Sequence, residues 1–184
     1  MQEPVIIKDF LSEDLRKYLS LVSKIYLRSN NIEFDIQDGA NSCAHHDSWT
    51  DALAITSLKK LREITKKNLE PTYAYLRIYN KYAYLAEHID RDSCEYSVTA
   101  FIDSCNTYDW PIKMDGKEYS IKPGEAILYK GCDWKHSRDE FLGDWHAQVF
   151  LHFVDMDGPK ASSIYDGRKT LGIPKFPEFT IGKS

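Results

Sequence analysis

The feature that most constrains the fold of this chain is a change of hydrophobic period at Pro71. Before it, apolar residues recur at helical spacing in segments 10–28 and 48–68, which predicts two amphipathic helices. After it, apolar and polar residues alternate with a period near two as far as residue 154, which predicts antiparallel strands. Two helices followed by a run of short strands favour a mainly β domain, a sandwich or barrel braced by the helices.

Turn residues bound the expected strands. Asp115–Gly116 predicts a two-residue hairpin, because glycine takes a positive φ without steric cost. Pro123–Gly124 predicts a second turn, a short strand is expected at 32–36, and an irregular tail is expected over 157–184. The main strands are expected at 73–80, 83–90, 96–103, 109–114, 117–121, 125–130 and 145–154.

Composition narrows the class of protein. A chain of 184 residues predicts one domain spanning 1–184, and 42% hydrophobic residues exclude global disorder. No apolar run approaches the roughly 18 residues of a membrane span, and residues 1–10 lack the pattern of a signal peptide, so we expect a soluble, cytoplasmic protein. A net charge of −4 without a Lys/Arg stripe disfavours nucleic acid as a partner.

Two candidate metal ligands, His88 and Asp90, lie two residues apart at the end of an expected strand. Side chains alternate along a strand, so both point to the same face and can bind one ion. His136 follows another expected strand and is the candidate third ligand. Two histidines and a carboxylate on one face of a metal ion leave the coordination positions on the opposite face open. This arrangement suits non-haem Fe(II). The tripeptide alone recurs by chance, and a solvated strand end is the alternative interpretation.

The sequence around the His-x-Asp motif resembles a known family. The segment YLRIYNKYAYLAEHIDRDSCEYSVTAFID, followed by IKPGEAILYKGCDWKH and a long apolar strand, resembles the 2-oxoglutarate- and Fe(II)-dependent dioxygenases, in particular the prolyl 4-hydroxylase-like branch. The resemblance covers about residues 48–154. In that branch a tyrosine precedes the His-x-Asp motif by nine residues, where this chain has Tyr79. The resemblance implies a double-stranded β-helix with His88, Asp90 and His136 as catalytic iron ligands.

The resemblance also implies a reaction. Fe(II), 2-oxoglutarate and O₂ would hydroxylate a substrate C–H bond with release of succinate and CO₂, with ascorbate as a reductant. The implied substrate is a prolyl residue in a peptide or protein. Two alternatives stay open: a hydroxylase of a free amino acid or small metabolite, and a catalytically degenerate cupin-like binding module. A nucleic-acid demethylase is disfavoured by the acidic charge balance.

The chain departs from this branch where the distal carboxylate of 2-oxoglutarate would bind. The branch usually places Lys or Arg about ten residues after the distal histidine, and this chain has His146 there. Arg138 has the fork geometry that suits a carboxylate, but a surface pair with a neighbouring acid explains it equally well. The missing cation is the reason for the degenerate-module alternative. The candidate cosubstrate-binding residues are Tyr79, Thr99, Arg138 and His146.

Several other residues keep two interpretations. Trp134 and Trp145 suit either the mouth of a cavity or the core. Arg91, next to the motif, suits either substrate contact or solvation at a strand end. His152 is expected to be a hydrogen-bonded or exposed strand residue, and Cys94 a buried, inert thiol.

Overall fold

A computed structural model describes residues 1, 3–29, 42–45, 47–105 and 109–171. Over these residues the chain forms two α-helices and ten strands. Both helices are predicted from the sequence: α1 spans Glu13–Arg28 and α2 spans Ser48–Thr65. The strands are β1 (Val5–Ile7), β2 (Ser42–His45), β3 (Leu69–Asn80), β4 (Leu85–His88), β5 (Tyr96–Ser104), β6 (Ile112–Met114), β7 (Lys117–Tyr119), β8 (Ala126–Tyr129), β9 (His136–Arg138) and β10 (Trp145–Asp155).

Local chemistry sets the ends of the helices. The Ser12 hydroxyl caps α1 by accepting from the N–H of Leu15 at 3.3 Å. Helix α2 ends at Thr65, three residues earlier than expected, because Lys66 takes a left-handed conformation with φ 56°. The chain therefore enters β3 before Pro71 and not after it.

The strands form two antiparallel sheets. The large sheet has the order β1-β8-β5-β10-β3-β2 and the small sheet the order β4-β9-β6-β7. Helix α1 packs against β5, and α2 packs against β3 and β10, so the helices cover one face of the large sheet. Its other face meets the small sheet, where Ile112 and Met114 pack against Ile127 and Tyr129. This arrangement agrees with the expected double-stranded β-helix braced by two helices.

The expected turns are present, and some strands are shorter than expected. Asp115 and Gly116 have φ 46° and 79° and join β6 to β7 as predicted. Strands β4 and β6 begin two and three residues later than expected, at Leu85 and Ile112. The expected strand at 32–36 lies outside the described residues.

The segment after β10, which we call the C-terminal strap (residues 157–168), returns to the loop that follows β4. It contains a short, kinked 3₁₀ segment at Ala161–Gly167, where an irregular tail was expected. The buried carboxylate of Asp166 accepts from both terminal nitrogens of Arg91, at 2.6 and 2.8 Å, and from the hydroxyl of Ser93 at 2.6 Å. These bonds fix the residues that directly follow Asp90. No helix in the described part of the chain is both long and apolar enough to cross a bilayer.

Candidate metal centre

The three predicted metal ligands converge at one end of the space between the sheets. The Oδ1 atom of Asp90 lies 3.4 Å from Nε2 of His88 and 3.6 Å from Nε2 of His136. Two ligand atoms that each lie about 2 Å from one ion are at most about 4 Å apart, so these separations fit a single metal ion. His88 ends β4, His136 begins β9, and the two residues are paired across the small sheet. Residues 48 positions apart in the chain therefore meet through strand pairing.

Hydrogen bonds to the backbone fix the tautomers of both histidines. Nδ1 of His88 lies 2.8 Å from the carbonyl of Ala86, and Nδ1 of His136 lies 3.0 Å from the carbonyl of Trp134. A carbonyl only accepts, so each Nδ1 carries the proton and each Nε2 presents a lone pair to Asp90. Three electron-pair donors that face one another repel unless a cation lies between them. The donor set therefore fits a divalent metal ion.

Asp90 contacts Gly131 through its backbone and Ser97 through its side chain. The Asp90 N–H donates to the carbonyl of Gly131 at 2.9 Å. The Ser97 hydroxyl lies 3.4 Å from Asp90 Oδ2. Burial alone would raise the pKa of Asp90. In the metal-free protein Nε2 of His136 and of His88 can instead carry a proton, and the hydrogen bonds that they then donate to Asp90 outweigh burial and hold its pKa well below the ordinary value. The carboxylate is therefore charged at neutral pH and ready to bind a cation.

His152, on β10, continues this network and was not predicted as a site residue. Its Nδ1 lies 2.9 Å from the Ser97 hydroxyl, which links it to Asp90. Its Nε2 is buried with no hydrogen-bond partner among the described residues. Cys94 lies beside it, and burial raises the pKa of this thiol, so Cys94 is the buried thiol that was expected. Strand alternation placed His152 in phase with His146, but the sequence did not show which face was inside.

The buried state of His152 gives the folded protein a predicted acid sensitivity. Burial lowers its pKa to about 4, below the value of about 6.5 in an unfolded chain. Between these pH values the unfolded state binds the proton more readily, so stability falls as the pH drops from 6.5 to 4. For the metal-free protein we expect this residue to reduce the free energy of unfolding by up to about 3 kcal/mol over that range. Urea unfolding at pH 7 and pH 4.5 measures the effect.

The variant His152→Gln is the control, because it removes the titrating group and keeps a side chain able to bond to Ser97. Its unfolding free energy should depend less on pH over this range. His146, whose pKa is also lowered by burial, accounts for part of the remaining dependence. Asp90 affects the free energy of unfolding at lower pH than His152 does. The stability that comes from its lowered carboxyl pKa is lost only as the pH falls below about 4. An identical pH dependence in both proteins would contradict the prediction.

A cavity of about 310 Å³, here called the metal cavity, opens beside the three candidate ligands. Six of its sixteen lining residues are alternate residues of β3 and β10, which face the small sheet. Burial raises the pKa of Tyr73, Tyr75 and Tyr129, so these phenols stay neutral. The aromatic side chains in the walls are Tyr73, Tyr75, Tyr79, Tyr129 and Phe150, and the arginines are Arg77, Arg91 and Arg138.

The candidate cosubstrate residues lie in different places. Tyr79 and Arg138 line the metal cavity. Arg138 is only 3% exposed, which excludes a surface pair as its main role. His146 instead lines a second cavity of about 710 Å³, which includes Trp110 and which we call the far cavity. Thr99 is buried on β5 and belongs to the described lining of neither cavity.

Arg77 lines the metal cavity and was missed by sequence reasoning. It lies on β3, two residues before Tyr79, and is 6% exposed. The sequence did contain a signal for Arg77. Residues two apart on a strand share a face, and Tyr79 was already a candidate site residue. A charged residue inside a buried strand is unusual, which was a second signal in the sequence.

Three other residues have structural contacts. Trp134 packs beside the cluster formed by β6 and β8, and Trp145 packs against the main core on the helix side of the large sheet. Neither tryptophan is among the described residues that line the metal cavity. Arg91 does line it, but its guanidinium is bound by Asp166 and lies 4.7 Å from the ring of Tyr73.

The fold is shared with solved structures of known enzymes, although no protein-family model and no curated protein sequence matches the chain. A prolyl-4-hydroxylase from Pseudomonas putida superposes with a TM-score of 0.63 at 16% identity, over 83% of this chain and 92% of that one. A prolyl hydroxylase from Trichoplax adhaerens, in complex with a peptide fragment of hypoxia inducible factor, gives 0.59 at 14% identity, over 84% of each chain. HygX from Streptomyces hygroscopicus, with nickel, 2-oxoglutarate and hygromycin B bound, gives 0.61 at 10% identity, over 83% and 82%.

At these identities the similarity establishes the fold. The chain has the double-stranded β-helix fold of the 2-oxoglutarate- and Fe(II)-dependent oxygenases, prolyl hydroxylases among them. One fold serves many functions, so the activity must be argued from the site.

Proposed function

We propose that this protein is an Fe(II)- and 2-oxoglutarate-dependent oxygenase that hydroxylates a prolyl residue in a peptide or protein. The observation that carries the proposal is the joint arrangement of metal-binding and anion-binding groups. Two imidazole lone pairs and one carboxylate oxygen converge at the metal cavity, and buried guanidinium groups line the same cavity. A divalent metal ion and a dicarboxylate are the ligands that this pattern of charges suits.

His88, Asp90 and His136 would bind the Fe(II) ion. When bound, the metal couples the oxidative decarboxylation of 2-oxoglutarate by O₂ to the hydroxylation of a C–H bond. The residues of the chain hold the two imidazoles in one tautomer and keep Asp90 charged. The buried aromatic walls of the cavity exclude bulk water from the reacting groups.

The surroundings of the centre favour a peptide substrate. The His88 side chain is 38% exposed, so the metal position is reached from the protein surface. Ile89, between the two ligands of the motif, is exposed and lines the cavity mouth. An exposed apolar side chain next to a reactive centre suits binding of an extended peptide.

A free amino acid or small metabolite is the alternative substrate class. HygX has the same fold and holds hygromycin B, a small molecule, so the fold accommodates both kinds of substrate. The two proposals differ in what the mouth of the metal cavity must bind.

Release of CO₂ from carboxyl-labelled 2-oxoglutarate tests the activity. We expect iron-dependent release, with ascorbate present, that increases when prolyl peptides are added, together with a mass gain of one oxygen on the peptide. Stimulation by free amino acids but not by peptides would support the small-molecule alternative. No iron-dependent turnover with or without either substrate would overturn the oxygenase proposal and leave the degenerate binding module.

A further inference from the structure

Two buried arginines approach the same glutamine from different sheets. Arg77 on β3 lies directly opposite Gln148 on β10 in the large sheet. Side chains opposite each other in an antiparallel pair lie on one face with Cβ atoms about 5 Å apart. Arg138 on β9 of the small sheet donates from Nη2 to Oε1 of Gln148 at 3.3 Å. Both arginines belong to the lining of the metal cavity.

Guanidinium groups outnumber carboxylates among the described residues that line the metal cavity. Among the described residues that line it, Asp90 is the single carboxylate, and Asp90 belongs to the metal centre. The guanidinium of Arg77 lies 5.2 Å from the ring of Tyr75. Arg138 donates to the carbonyl of Trp110 and lies 4.7 Å from its ring. Guanidinium groups that line a cavity beside a metal centre can bind a carboxylate through charge-assisted hydrogen bonds.

His146 lacks the properties of an anion-binding residue. Burial and the positive charge of Arg138 hold the pKa of His146 well below its ordinary value, so its imidazole is neutral at neutral pH. Its Nε2 lies 2.8 Å from the amide nitrogen of Gln148, and its ring stacks on Phe101 at 4.3 Å. The ring lines the far cavity and not the metal cavity.

We propose that Arg77 and Arg138 together bind the distal carboxylate of 2-oxoglutarate and that His146 does not. This inference rests on the proposed function. The planar fork of a guanidinium matches a carboxylate, and two forks from two sheets would hold it from both sides. The cation that the sequence lacks on the last strand is thus supplied from β3 and β9. The missing cation on β10 is then no longer a reason to regard the site as degenerate.

Ligand binding tests the assignment without turnover. The protein is loaded with Mn(II) under anaerobic conditions and titrated by calorimetry with 2-oxoglutarate and with 2-oxopentanoate, which has a methyl group in place of the distal carboxylate. For Arg77→Met and Arg138→Met we expect affinity for 2-oxoglutarate to fall about tenfold or more, the range for lost charge-assisted hydrogen bonds. Affinity for 2-oxopentanoate should change little. His146→Gln is the matched control and should bind both ligands as the wild type does.

Each outcome decides one question. If the wild type does not bind 2-oxoglutarate, the proposed function fails. If the wild type binds it and only His146→Gln weakens binding, the assignment to Arg77 and Arg138 is overturned while the function stands. Circular dichroism and thermal unfolding check each variant, and if Arg138→Met does not fold, Arg138→Lys and Arg77→Met decide. Equal losses for both ligands in the arginine variants would also overturn the assignment, because they indicate a distorted metal centre.

Discussion

Replacing Asp90 by alanine should abolish metal binding and any turnover of 2-oxoglutarate. The carboxylate is the group that both imidazoles face, at 3.4 and 3.6 Å, and it carries the negative charge of the centre. Even changes in groups that merely orient metal ligands cost about 10- to 100-fold in affinity, so loss of a ligand should exceed about 100-fold. Mn(II) affinity, measured by calorimetry, and CO₂ release check this. We expect His88→Ala and His136→Ala to behave alike.

Glu87→Gln is the matched control for these variants. Glu87 precedes His88, its side chain is 61% exposed, and its carboxylate lies 3.5 Å from the exposed amine of Lys135. Exposed ion pairs contribute little, so neither metal affinity nor turnover should change. An Asp90→Ala protein that binds Mn(II) as tightly as the control would refute the assignment of the metal centre.

Replacing Gly131 by alanine should give the second large effect, on both folding and metal binding. An added methyl group would lie 2.3 Å from Oδ2 of Asp90, 2.7 Å from the Ser97 hydroxyl and 2.8 Å from the carbonyl of Cys94. The backbone cannot easily yield, because the Gly131 carbonyl accepts from the N–H of Asp90. We expect a loss of about 3 kcal/mol in the free energy of unfolding, at the upper end for overpacking. Urea unfolding measures it, and calorimetry measures the weaker Mn(II) affinity caused by displacement of Asp90.

Gly116→Ala separates this clash from a general cost of losing a glycine. Gly116 has φ 79°, and an added methyl group there meets nothing within 4 Å. A loss of about 1 kcal/mol, with unchanged Mn(II) affinity, is therefore expected. If both variants lose the same stability and both keep the metal, Gly131 does not hold Asp90 in the way described.

The sequence predicted those parts of the fold and site that depend on local pattern. Periods of 3.6 and two residues located both helices and the long strands β3, β5 and β10, because burial of one face imposes these periods over many residues. The three-residue strand β9, which carries His136, was not predicted. Strands β1 and β2, with three and four residues, were missed because such short edge strands contain too few residues for a period. His88 and Asp90 were found because their spacing puts both on one strand face, and the family resemblance identified His136.

The contacts around the proposed site for the distal carboxylate of 2-oxoglutarate could be found only from the three-dimensional structure. The position of Arg77 opposite Gln148 depends on the register between β3 and β10, which are separated by most of the barrel in sequence. The burial of Arg138 depends on how the small sheet faces the large one. The position of His146 also depends on register, because a bulge between Ala147 and Gln148 shifts the β10–β5 pairing next to it. Sequence spacing fixes none of these registers.

The central position of β10 also has a consequence for the order of events during synthesis. Strand β10 lies between β3 and β5, so each of these earlier strands leaves the ribosome with an edge that stays unpaired until β10 has been synthesised. Such edges promote association between nascent chains. Phe150 and His152 of β10 also form part of the wall around the candidate metal centre. A metal ion and a cosubstrate would therefore find a complete site only after β10 has paired with β3 and β5.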